Sequence, residues 1–197
     1  MSDFKVIVIS PPSEFPHESS WVNLLFENGL KYYHLRKKEC PDFDIAAFFA
    51  GIDKHFHHRI ALHGNPLWLS KGDFGGFHGS LDDQKQLTPD FSGRLSSNLK
   101  NWKQADDRER DMDYYLVSPV FDSISKPGYR ANNDLLHIPH SLRHLPLVAL
   151  GGVNALNTKL ALHSGYQGVA LLGTIWNSGD PLGAFLDIQQ ISVGSHA

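Results

Sequence analysis

Cysteine is almost missing from this chain of 197 residues, with Cys40 the one instance. A single thiol excludes an internal disulfide framework and fits a reducing compartment, so an apolar core has to hold the fold. An excess of positive charge is missing too. The 18 Lys and Arg against 21 Asp and Glu leave a formal net charge of −3, which excludes the broad basic field of a nucleic-acid-binding surface. No apolar run approaches the roughly 20 residues of a membrane-spanning helix. The opening Met1-Ser2-Asp3-Phe4-Lys5 lacks the charged-then-apolar order of a secretory signal. The expectation is a cytoplasmic protein with neither nucleic acid nor a membrane as partner. Internal repeats, linkers and low-complexity segments are also absent, which predicts one domain over residues 1–197.

What is present is core material: 41% of the residues are hydrophobic and 20% charged, ordinary for a globular domain. Histidine is the exception, at 12 residues. His55, His57 and His58 cluster with Lys54 and Arg59, but no carboxylate or thiolate is interleaved. They read as a solvated helix end rather than a metal site.

Short apolar runs, mostly β-branched and each stopped by Gly, Pro or polar residues, recur along the chain. They predict eight strands, at residues 5–10, 30–36, 59–63, 75–78, 93–96, 113–117, 147–150 and 168–172. Helical patterns fall at 18–28, 43–56, 99–110, parts of 133–145, 155–164 and from Pro181 to about Gln190. Asn154 is the expected N-cap of the fifth of these, and Gly29 and Gly165 stand at helix C-termini. The third and fourth connections hold only a turn at 66–70 and a short polar stretch at 81–90. Strands apolar throughout are parallel strands buried on both faces. Eight such units predict an α/β fold, a compact (β/α)8 TIM barrel with shortened helices after strands 3 and 4. An open doubly wound sheet is the alternative, weakened because no Gly-x-Gly-x-x-Gly follows the first strand.

In a barrel the C-terminal strand ends share one face, and active sites sit there. Period two puts His34 and Arg36 on one face of the second strand, and Lys38 continues that side. His63 ends the third strand. His78 ends the fourth, with Asp82 and Asp83 just beyond, and Ser96 and Ser97 end the fifth. Ser118 follows the sixth, where Pro119 stops the ladder and a polar loop delivers Ser123, Ser125 and Lys126. Gly151-Gly152 and Leu172-Gly173 stand at the ends of the last two strands. Cations and hydroxyls bind anions, and glycine turns before helices let a phosphate approach the backbone. The convergence predicts a phosphorylated or diphosphorylated small molecule as ligand, with the segment 113–129 as its organising stretch.

At these residues the chain resembles the thiamine phosphate synthase and thiazole tautomerase superfamily. Residues 113–126 resemble its sixth-strand segment: an Asp-Tyr, a Pro-x-Phe, then hydroxyl-x-hydroxyl-Lys. Leu35-Arg36-Lys37-Lys38 resembles its Arg-x-Lys, Ala149-Leu150-Gly151-Gly152-Val153 its glycine pair, and residues 168–173, ending Leu172-Gly173, its final phosphate-binding strand. The resemblance implies a barrel acting in thiamine biosynthesis, a dimer or larger. The synthase joins a hydroxymethylpyrimidine diphosphate to a thiazole phosphate and releases diphosphate. Arg36, Lys38 and Lys126 would hold the diphosphate, and Ser123 and Ser125 stand where the family has threonines. Gly151, Gly152 and Gly173 would receive the thiazole phosphate, with His34, Ser96, Ser118 and Leu172 alongside. Mg²⁺ is implied as cofactor, with Asp83 at the second carboxylate position.

Two positions depart from that pattern. The family's third strand ends in Asn-Asp, and here it reads His63-Gly64-Asn65. The tautomerase branch uses a His after the fifth strand, and here it reads Ser96-Ser97-Asn98. His63 and His78 are the candidate acid/base groups in their place. Three readings follow: a transferase of the synthase type, an isomerase of the tautomerase type, and a phosphate-ligand binder without catalysis.

Overall fold

Eight parallel strands close on one another in chain order, in a computed structural model that describes residues 4–106, 112–122 and 130–194. The order is β1 (Lys5–Ile9), α1 (Glu18–Glu27), β2 (Tyr32–Leu35), α2 (Ile45–Ala50), β3 (Ile60–His63), β4 (Gly76–His78), α3 (Leu81–Gln84) and β5 (Arg94–Leu99). It continues with α4 (Lys103–Asp106), β6 (Tyr114–Val117), β7 (Leu147–Leu150), α5 (Thr158–His163), β8 (Gly168–Leu171), α6 (Gly173–Trp176) and α7 (Pro181–Gly194). β8 returns to pair with β1 in the register Val6↔Val169, and the Trp176 indole N–H donates to the Ile9 carbonyl at 2.7 Å across the same seam. The expected (β/α)8 barrel is therefore the fold, and the open sheet is not.

Alternation along each strand explains the continuous apolar runs. Ile7, Ile9, Tyr114, Leu116, Val148 and Ala170 point into the barrel, while Val6, Val8, Tyr33, Tyr115, Val117, Val169 and Leu171 pack outward under the helices. Both sets are buried, which is why these strands read as apolar on both faces. The third connection carries a 3-10 turn, Pro66–Lys71, and the fourth only the single turn α3.

Several boundaries differ from the pattern in the sequence. β5 runs on to Leu99, beyond the expected 93–96, because Ser96 faces the polar part of the barrel interior and breaks the apolar signal of a strand. The helix expected from residue 99 accordingly starts at Lys103, and residues 107–110 lie outside the described residues. The helix expected over 43–56 ends at Ala50 with Gly51 as C-cap, and a 3-10 stretch, Lys54–Arg59, follows. Asn154 does not cap α5. Its Oδ1 accepts from the Leu156 and Asn157 N–H groups at 2.8 and 3.3 Å, closing a turn that delays the helix to Thr158. Among the described residues no helix is long and apolar enough to cross a membrane.

Candidate active site at the C-terminal mouth of the barrel

Three consecutive cations leave β2, and the backbone sends them to different places. Arg36 is half-buried at the mouth, where burial lowers its pKa. Its N–H donates to Ser10 Oγ at 2.7 Å, and the Ser10 hydroxyl donates to the Arg36 carbonyl at 2.9 Å, which ties the end of β2 to the end of β1. Lys38 is exposed. Lys37 faces the other way and is buried. Its Nζ donates to the Pro11 carbonyl at 3.2 Å, the Ser13 carbonyl at 2.9 Å and Glu18 Oε2 at 2.5 Å, while the Tyr33 hydroxyl donates to Glu18 Oε1 at 2.7 Å. This buried pair fastens the loop after β1 to the strand that presents Arg36. Period two sets Lys37 apart from Arg36 and Lys38, but the sequence did not show its burial or its partner Glu18.

Inside the barrel, β2, β3 and β4 bring His34, His63 and His78 together. The ring centroids are 5.7 Å (His34–His63), 5.2 Å (His34–His78) and 4.2 Å (His63–His78) apart. His34 Nε2 and the Tyr114 hydroxyl share a hydrogen bond of 2.6 Å, and His78 Nδ1 and the Ser96 hydroxyl one of 2.9 Å. His34 Nδ1, His63 Nδ1 and His78 Nε2 are buried without a hydrogen-bond partner among the described residues. His34 and His78 are fully buried, whereas His63, the last residue of β3, keeps some access at the mouth. Burial pulls all three below the ordinary histidine range. His78 falls to about 4, against a raising contribution from Asn98. His63 falls well below, through burial first, then His78 and His34, then Arg36 and Lys38. His34 falls well below, through burial and then His78 and Arg94. The interior is thus a neutral imidazole cluster near pH 7. Beneath it, Tyr32 stacks on Tyr114 at 5.7 Å and Arg94 lies 4.3 Å over the Tyr32 ring. Reading by strand ends missed Tyr32, Tyr114 and Arg94. Counting back by twos from Ser96 and Ser118 reaches Arg94 and Tyr114, and the same step from His34 reaches Tyr32.

The glycine turns sit at the opposite side of the mouth. Gly151 and Gly152 have φ of +91° and +64°, conformations that favour glycine. Val120 and Phe121 donate to the Leu150 and Gly151 carbonyls, both at 3.0 Å, so the stretch after β6 runs directly beside the glycine pair. Asn157 Nδ2 donates to the Gly152 carbonyl at 2.9 Å, and the Thr174 hydroxyl donates to the Val153 carbonyl at 2.5 Å. The loops after β7 and β8 are therefore one braced unit, with Leu172 half-buried before Gly173 opens α6. Ser118 is half-buried just past β6. Ser123, Ser125 and Lys126 lie outside the described residues. The flanks of their loop are fastened: Asn132 N–H donates to the Pro119 carbonyl at 2.9 Å and Ala131 N–H to Asp122 Oδ1 at 2.7 Å.

The residues do not fit a Mg²⁺ site of the implied kind. Gly64 offers no ligand where a carboxylate would stand. Asp83 belongs to a capping box: its Oδ2 accepts from the Ser80 N–H at 2.9 Å and the Ser80 hydroxyl at 2.6 Å, and its own N–H donates to Ser80 Oγ at 3.2 Å. Asp82 pairs with Lys85. Among the described residues no three His, Cys, Asp or Glu side chains are disposed to hold a metal ion.

Fold and mouth define a (β/α)8 barrel with cations and glycine turns around a polar, histidine-lined interior. Part of the sequence is similar to thiamine-phosphate synthases. Residues 93–175 match the family model described as thiamine monophosphate synthase. The thiamine-phosphate synthase of Coprothermobacter proteolyticus is 32% identical over 114 residues, 56% of this chain and 53% of that protein. That of Cronobacter sakazakii is 27% identical over 179 residues, 83% of each. The chain spans about half the length of the Coprothermobacter protein and of the Listeria thiamine-phosphate synthases it matches. Among solved structures, a thiamine phosphate pyrophosphorylase from Bacteroides thetaiotaomicron superposes with a TM-score of 0.76 at 24% identity, covering 98% of this chain and 100% of that one. One from Pyrococcus furiosus gives 0.76 at 17%, covering 100% and 98%. These two likenesses establish the fold.

Proposed function

We propose that this chain, as one barrel domain, is a transferase of the thiamine-phosphate-synthase type. It would join a hydroxymethylpyrimidine diphosphate to a thiazole phosphate and release diphosphate, acting on small phosphorylated substrates in the cytoplasm. The observation that carries the reading is the kinship with the synthases over residues 93–175, the stretch that holds the sixth-strand segment and both glycine turns. Arg36 and Lys38 are the cations for the diphosphate, with Lys126 from the loop after β6 as the third. The braced loops after β7 and β8, with Gly151, Gly152 and Gly173, take the thiazole phosphate. Loss of diphosphate builds negative charge on the leaving oxygens, and cations fixed there lower that barrier.

The test is diphosphate release from the two phosphorylated precursors. Release is expected, and Lys126→Ala is expected to lower it by about 100-fold, the usual scale for one electrostatic contact in a transition state. Undiminished release in that variant would remove the loop from the mechanism. The tautomerase reading is favoured by one feature, the neutral His63 beside Gly64 in place of a carboxylate. Isomerisation of the thiazole phosphate alone, lost in His63→Ala and without diphosphate release from the pair of precursors, would select it.

A further inference from the structure

The donor set at the mouth lacks what a carboxylate-held metal needs, yet charge on a departing diphosphate still has to be neutralised. The residue standing where it could do so is His63. Leu35 pairs with Leu62, so Arg36 and His63 come level one step further along β2 and β3, and His63 pairs in turn with His78. His63 is the member of the histidine cluster with access to the mouth, and its buried Nδ1 has no hydrogen-bond partner among the described residues. Below it, Ser96 holds His78 and Tyr114 holds His34, so the two deeper rings are fixed and His63 is backed by rings on two sides.

We propose that His63 is the general acid that protonates the departing diphosphate, making the transfer independent of a metal ion. The inference rests on the synthase reading of the same mouth. In the step, the bond between the pyrimidine methylene carbon and the diphosphate oxygen breaks and the diphosphate keeps the electron pair. The His63 imidazolium gives its proton to that diphosphate and becomes neutral imidazole. The thiazole nitrogen lone pair forms the new bond to the methylene carbon. Solvent at the mouth returns a proton to His63 when the next diphosphate binds.

The charges around the ring account for that order of events. Arg36 and Lys38 from the end of β2, His34 from β2 and His78 from β4 all face His63, and with burial they keep it neutral in the free protein. A diphosphate seated on Arg36 and Lys38 cancels those two positive charges and adds negative ones, which favours imidazolium. The acid would therefore be charged only when there is a leaving group to protonate. Asp83 Oδ2 is engaged by the Ser80 N–H and hydroxyl, and the step proposed for His63 makes no use of that carboxylate.

The experiment compares diphosphate release in excess EDTA and in excess Mg²⁺, for the wild type, His63→Asn, His63→Gln and the exposed-surface control His55→Asn. Equal rates in both media are expected for the wild type. Both His63 variants are expected to fall by about 100-fold or more, the scale of general acid catalysis, with His55→Asn unchanged. A wild-type rate that collapses in EDTA and returns with Mg²⁺ overturns the proposal, as does a full rate in both His63 variants. A second readout needs no turnover: histidine ring signals followed by NMR against pH in EDTA, with and without inorganic diphosphate. The His63 titration is expected to move to higher pH with diphosphate. If no diphosphate is released in either medium, the synthase reading fails and this titration decides the His63 assignment alone. An unmoved His63 overturns it, and a raised one supports His63 as the acid coupled to the bound anion.

Discussion

Burial divides the three cations at the end of β2. Arg36 is half-buried at the mouth and Lys38 is exposed, while Lys37 is closed off with Glu18, at side-chain exposures of 0% and 5%. Removing one partner of such a pair leaves an uncompensated buried charge. Lys37→Met is therefore expected to lower the unfolding free energy by about 3–5 kcal/mol, read from urea denaturation. Lys37→Met with Glu18→Gln should recover much of that, because the glutamine is neutral and still accepts from the Tyr33 hydroxyl. A single variant no more harmful than the exposed Lys38→Met would mean that the pair does not hold the loop. The consequence reaches the mouth, since Lys37 and Ser10 together set the direction in which the backbone presents Arg36.

At the scale of elements, the loops after β6 and β7 depend on a contact that only glycine permits. A Cβ on Gly152 would collide with the Asp122 carbonyl oxygen and the Phe121 carbonyl carbon, whereas one on Gly179 would meet nothing within 4 Å. Left-handed backbone alone costs an L residue about 1–2 kcal/mol. Gly152→Ala is thus expected to destabilise by more than about 2 kcal/mol, and Gly179→Ala by no more than about 0.5 kcal/mol, in the same thermal or urea series. Equal losses at the two sites would contradict the packing. These elements also mark how far the sequence could be read. β1, β6, β7 and β8 were legible because both of their faces are apolar. β5 was legible only in part, because Ser96 lies in the polar section of the interior and interrupts the strand signal. The glycine pair was legible as a turn, but its opposing backbone, 30 residues earlier in the chain, was not. Asp83 carried two local meanings, a carboxylate beyond a strand end and the fourth member of Ser-x-x-Asp, and the cap is the one the backbone uses. His34, His63 and His78 were each visible at a strand end. Their meeting was not, because it depends on the register between β2, β3 and β4, which no single strand encodes.

The molecule as a whole stores polar groups in the centre of its barrel, and that choice ties its stability to pH. Tyr114 is held protonated by burial, so of the two residue types hydrogen-bonded there, histidine is the one that titrates below neutrality. In the unfolded chain a histidine titrates near 6.5, and His78 in the fold titrates near 4. Between those values the unfolded state binds the proton that the folded state refuses, so stability rises with pH there. The contribution is fully present above about pH 6.5 and is lost as pH falls through the folded value. For His78 alone the interval corresponds to about 3 kcal/mol, and His34 and His63 act in the same direction. Carboxylates elsewhere also respond to acid, so the informative quantity is a difference between two curves. The urea midpoint of the wild type is expected to fall from pH 7 to pH 4, and that of His78→Asn to fall less steeply over the same range. Parallel curves would mean that His78 takes up its proton in the fold as readily as in the unfolded chain. A bound diphosphate that draws a proton onto His63 should remove that residue's share of the slope, because His63 then binds its proton in the folded state as well as in the unfolded one. That measurement joins the stability of the barrel to the chemistry proposed at its mouth.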